Sequence, residues 1–170
     1  MQKLLLMIEE LILKIKGLVK DKNLETQAGE LLYRTALSFI GTDPTPRNEV
    51  DNDVACAASL NAIHTKAFGE PIGGGASTYW LYFALKNHKK FTEVTEPKKG
   101  DVILCYTGQP GSGQNGVLRG HTGIVSTNGQ IMSNTSATGL WQANYNLFSW
   151  TYRWGTLGKY KIYYFRRVLL

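Results

Sequence analysis

The chain has 170 residues, of which 43% are hydrophobic and 11% aromatic, a length and apolar content that suit one soluble globular domain. Its two cysteines, Cys56 and Cys105, lie in no CxxC or His-rich pattern, which excludes a disulfide framework and a zinc site. The net charge of +6 is gathered in residues 98–170, where eight Lys/Arg face the single acid Asp101; this favours an anionic partner, whether wall polymer, nucleic acid or lipid surface.

Leu4, Ile8, Leu11, Ile15 and Leu18 recur at helical spacing and predict an amphipathic helix over residues 1–22 that packs on the domain, or else meets a membrane surface or a partner helix. Glu9 and Glu10 interrupt the apolar run and no small-residue cleavage site follows, so the stretch reads as neither signal peptide nor membrane span. The expected route is then synthesis in the cytoplasm, with passage to any outside target through a pore or in a particle. Residues 23–170 form the domain itself. Asn23 is placed to cap a second helix running to Ile40, with Leu24, Ala28, Leu31, Leu32 and Phe39 on one face and Gly41 as the stop.

A surface loop over 41–53 ends at Asp53, which is placed to cap the helix VACAASLNAIHTKAF and so to put Cys56 in its first turn. The run IGGGAS has no P-loop lysine and reads as a flexible loop that brings backbone close to a cleft. Ser77 then caps a third helix over TYWLYFALKNHKKF. From Gly100 the texture turns to strands: DVILCY, HTGIVST, QIMSNTS and KYKIYYFRRV. Helices first and an antiparallel sheet second define an α+β class, with a cysteine-bearing helix end packed on the sheet.

Cys56 is the candidate nucleophile, because a helix N-terminus stabilises a thiolate and its unpaired amides, near the Asp53 cap, could hold an oxyanion. Cys105, inside the apolar run VILCY, reads as core filler. His64 lies eight residues beyond Cys56, over two helical turns and roughly 12 Å away, too far for proton transfer. His88, in KNHKK, reads as a solvated charge at a helix end. His121 opens the strand HTGIV between glycines and is the candidate base.

A third group should orient the imidazole. If Asn128-Gly129 form a two-residue turn, His121 faces Ser136 and Asn134 lies diagonally on the same face, ready to accept from the ring N–H. If the loop instead holds three residues, the faces exchange and Ser133 takes that place. Trp141, Tyr145, Trp150, Tyr152 and Trp154 offer a stacking wall for sugar or peptide, with Trp141 the candidate contact.

VACAASLN around Cys56, KKGDVIL at 98–104, GHTGIV around His121 and the strand QIMSN, in that order, resemble the CHAP and NlpC-type cysteine peptidases, in particular phage endolysins. The likeness extends loosely over residues 30–170. It implies a papain-like fold and hydrolysis of an amide in peptidoglycan, in the stem peptide or between muramic acid and L-alanine, by a monomer that needs no metal or other cofactor. Wall-binding repeats found in such proteins are missing here. Two other readings stay open: acyl transfer on the same scaffold, and a non-catalytic module whose basic face holds wall polymer or nucleic acid. The histidine of several lipid-acting relatives precedes the cysteine, whereas Cys56 precedes His121.

Overall fold

The structure is a computed structural model describing residues 2–45, 50, 51, 54–108 and 119–169. Helix α1 runs from Gln2 to Ser38 as 37 uninterrupted residues. The expected boundary at Asn23 is therefore absent: the chain is helical on both sides of it, and a capping residue must leave helical geometry. Ala28, Leu32 and Ala36, four residues apart, are fully buried. Ile8, Leu11, Ile15 and Leu18 are instead 46–65% exposed, so the expected packing of this face on the domain does not occur; the side chain of Leu4 lies outside the described residues. Among the described residues, no helix is long and apolar enough to cross a membrane.

Helix α2 spans Cys56–Phe68 and buries Ala57, Leu60, Ile63 and His64 at helical spacing before Gly69 ends it in the left-handed conformation (φ 78°). Helix α3, Thr78–Asn87, starts where expected: the Ser77 hydroxyl accepts from the Trp80 amide. Between them Asn61 fastens the glycine loop to α2. Its Nδ2 donates to the carbonyls of Gly73 (3.0 Å) and Gly75 (3.1 Å), and its Oδ1 accepts from the Gly73 amide (2.9 Å).

Six strands form one antiparallel sheet: β1 Phe91–Val94, β2 Val102–Cys105, β3 His121–Val125, β4 Gln130–Asn134, β5 Trp141–Asn146 and β6 Tyr163–Arg167, in the order β1-β6-β2-β3-β4-β5. Alternation sorts their side chains onto two faces. Val102, Leu104, Ile124, Met132 and Phe165 join the core beneath α1–α3. Ile103, Cys105, Val125 and Ile131 pack on the other side against Trp150 and Trp154, which follow β5 on the short helix α4 (Leu147–Trp150) and a π-helical turn (Thr151–Leu157).

The KKGD segment leads into β2, where Asp101 is 1% exposed and holds Arg166 of β6 through two bonds of 2.8 and 3.0 Å. The β3–β4 connection differs from the two-residue turn. Thr127, Asn128 and Gly129 form a three-residue 3-10 turn with positive φ at Asn128 (54°) and Gly129 (69°). The ladder accordingly pairs Gly123 with Ser133, Ile124 with Met132 and Val125 with Ile131. One extra loop residue exchanges the faces of β4 relative to β3.

Candidate active site

Cys56 is the first residue of α2 and is 5% exposed. The N-cap position falls on Ala55, which makes no side-chain cap; Asp53, the expected cap and oxyanion-site neighbour, lies outside the described residues. The sulfur faces three backbone amides, those of Thr122, Ala57 and Cys56 itself. They favour a thiolate, but burial outweighs them and pushes the thiol up to about 11. The expected low thiol pKa is thus reversed at rest, because a helix end supplies less than the removal of water takes away.

His121 opens β3 and is 7% exposed. Its ring stacks on those of Trp154 and Trp150, with centroids 5.0 and 5.2 Å away. This desolvation, with a smaller contribution from the Arg153 charge, drives the imidazole down to about 3. Thiol and imidazole are therefore both neutral at physiological pH.

The tautomer follows from the partners. Ser133 Oγ donates to Asn144 Oδ1 at 2.7 Å, which leaves its lone pairs to accept from His121 Nε2–H at 3.1 Å. The proton belongs on Nε2, which leaves Nδ1 with the lone pair of a base; the backbone carbonyl of Asn134 also approaches the ring. The chain continues from Asn144 Nδ2 to Thr135 Oγ1 (3.2 Å) and on to Gln142 Oε1 (3.1 Å).

Asn134 sits on the opposite face, where its Nδ2 donates to the Gly139 carbonyl at 2.8 Å; only its backbone carbonyl reaches the His121 ring. The expectation that its amide orients the imidazole fails through the three-residue turn, and Ser133 occupies that place.

His121 pairs across the ladder with Cys105 and so faces away from α2, yet the Cys56 sulfur lies against the amide of Thr122, the next residue. The two groups thus lie on either side of the start of β3, with no mutual hydrogen bond among the described residues. Gly120 lets α3 and β2 close on that point: a Cβ there would lie 2.5 Å from Thr78 Oγ1 and 2.7 Å from the Cys105 carbonyl. Gly123 serves the other side, where a Cβ would fall 3.1 Å from Ser133 Cβ.

Two cavities flank this point and share Arg119 and Gly120. One, of about 500 Å³, holds Cys56 between the glycine loop, Tyr79 and Trp80. The other, of about 420 Å³, holds His121 with Thr135, Asn144, Arg153 and Trp154. Trp154 Nε1 donates to the Arg119 carbonyl at 3.1 Å and so fixes the shared rim.

Trp141 is fully buried in the core beneath the helices and cannot touch a substrate. The aromatic side chain open to the cleft is Trp80, 47% exposed, in edge contact with Tyr79. Cys105 is fully buried filler, its thiol raised by burial to about 12. His64 is buried too, donating from Nδ1 to the Glu70 carbonyl (2.6 Å) and accepting at Nε2 from Arg167 (2.9 Å). His88 does not act as a solvated charge: it is the C-cap of α3, its Nδ1 accepts from the Lys90 amide, and desolvation lowers its pKa. Among the described residues, no group of three or more His, Cys, Asp or Glu is placed to hold a metal.

The fold is α+β and papain-like, N-terminal helices followed by a small antiparallel sheet. No protein-family model matches the sequence, and no curated protein does. The structure is similar to a chain in the crystal structure of the type VI native effector-immunity complex Tae3-Tai3 from Ralstonia pickettii, with a TM-score of 0.51 and 20% identity, over 82% of this chain and 98% of that one.

Proposed function

We infer that this chain is a hydrolase that cuts an amide bond in bacterial peptidoglycan, with Cys56 as nucleophile, His121 as base and Ser133 as the residue that positions the imidazole. The observation that carries the reading is the His121 tautomer favoured by Ser133 and Asn144, together with a helix-end cysteine whose sulfur meets backbone amides, one of them that of Thr122 next to His121. The shared fold with a chain of a type VI effector-immunity complex fits such an activity. An endolysin-like role is the finer form of the proposal, drawn from the motif resemblance.

In this mechanism substrate closes the gap between thiol and imidazole. Cys56 Sγ attacks the carbonyl carbon as its proton passes to Nδ1, and the helix-end amides hold the oxyanion. The amine leaves with that proton, and water, deprotonated by His121, hydrolyses the thioester. Trp80 supplies a surface on which sugar or peptide can stack. Purified protein incubated with peptidoglycan should release new amino groups, while folded Cys56→Ala and His121→Ala proteins should release none. Release by Cys56→Ala at the wild-type rate would remove the thiol from the mechanism.

A further inference from the structure

We propose that the cavity of about 420 Å³ beside His121 is a subsite for a substrate carboxylate, held by Arg153 next to the amide being cut. This rests on the hydrolase reading of the cleft but has its own physical basis. The two halves of the cleft differ in chemistry. Around Cys56 the walls include Val54, Ala76, Tyr79 and Trp80; around His121 they carry Arg153, Asn144, Thr135 and Ser136, with Arg119 on the rim that both share. Neither half has an Asp or Glu among its described lining residues, so no described carboxylate in the walls competes for an incoming anion.

Arg153 makes no ion pair among the described residues; its guanidinium lies 5.3 Å from the centre of the Trp154 ring. Such a contact aligns a planar fork of N–H donors without using them up, and that fork matches a carboxylate in bidentate fashion. The charge is close enough to His121 to oppose its protonation, so it acts inside the site rather than at a distance. The Ser136 hydroxyl, which also lines the cavity, can donate to the same anion. Because His121 itself lines the cavity, the bound group must be an immediate neighbour of the scissile amide. Peptidoglycan stem peptides carry carboxylates beside their amides, and these can be free or amidated; the subsite would select the free form.

The test uses matched muropeptides whose carboxylates are free or amidated, titrated against the Cys56→Ala protein with tryptophan fluorescence as readout. The free acid should bind at least about tenfold more tightly, as a charge-assisted pair warrants. Arg153→Gln should abolish that preference and Arg153→Lys restore part of it. Equal binding of acid and amide, or equal weakening of both by Arg153→Gln, would overturn the proposal. Displacement of the muropeptide by inorganic phosphate more strongly than by acetate at equal ionic strength would overturn it in favour of a phosphate site. Turnover is scored separately with the Cys56-intact enzyme: if neither muropeptide is cut, the hydrolase reading fails while acid-selective binding through Arg153 still stands or falls by itself.

Discussion

Ser133 and Asn134 are neighbours with opposite tasks, and a pair of substitutions separates them. Ser133→Ala removes the group that fixes the Nε2–H tautomer of His121 and should lower kcat on the order of tenfold to hundredfold, less than loss of the base itself. Asn134→Ala loses its bond to the Gly139 carbonyl and should cost about 1 kcal/mol of stability in chemical denaturation with kcat little changed. The reverse pattern would return the positioning role to Asn134. Burial of His121 also sets a pH profile. Only the neutral imidazole can accept the proton, and its pKa lies near 3, so the acid limb of kcat/KM should fall well below the ordinary imidazole value of about 6.5. A limb centred near 6.5 would show a solvated base. At this scale Cys56 and His121 stood out in the sequence as candidates by their settings, whereas Ser133 hung on whether one loop held two residues or three. Arg153 and Asn144 gave no separate signal, and Trp154 stood out only as one of several aromatics, because their places arise only from β5 and the π-helical turn folding over β3.

The elements impose constraints that single residues do not reveal. At Gly120 any side chain would press into the Cys105 carbonyl and the Thr78 hydroxyl, so Gly120→Ala should destabilise by roughly 1–3 kcal/mol and reduce activity by separating α3 from β3. Asn61→Ala would release the glycine loop from α2; since that loop walls the Cys56 cavity, KM should rise more than kcat falls. A fall in kcat alone would mean the loop does not contact substrate. Helices α2 and α3 and most strands could be read from periodicity and caps, as Ser77 shows. The break at Asn23 could not, because an asparagine inside a long helix and one at a cap look alike until the turns on both sides are seen. Trp141 was misplaced for a related reason: an aromatic on a strand is buried or open according to which face it takes, and the sheet assigns that face.

For the molecule as a whole, the basic C-terminal half is not a uniform polyanion surface. Arg166 is held by buried Asp101, Arg167 is 3% exposed against His64, Glu70 and the Phe68 ring, and Lys99 pairs with Glu30. Charge counted along the sequence therefore overstated what an anionic partner would meet. Acid stability should carry the mark of two buried imidazoles. His64 and His121 are neutral in the fold with pKa values near 4 and 3, whereas the unfolded chain protonates both below about 6.5. Their contribution is intact above 6.5 and is lost as pH falls towards 4, with unfolding taking up on the order of one proton per imidazole. Unfolding free energy independent of pH across that window would contradict their burial as neutral groups. The most direct test of the central claim is mass spectrometry of the fragments released from defined peptidoglycan by wild-type protein and by Cys56→Ala. The account predicts fragments with a new amine and a new carboxylate from the wild type and none from the variant; cleavage within the glycan strand, or the same fragments from both proteins, would contradict it.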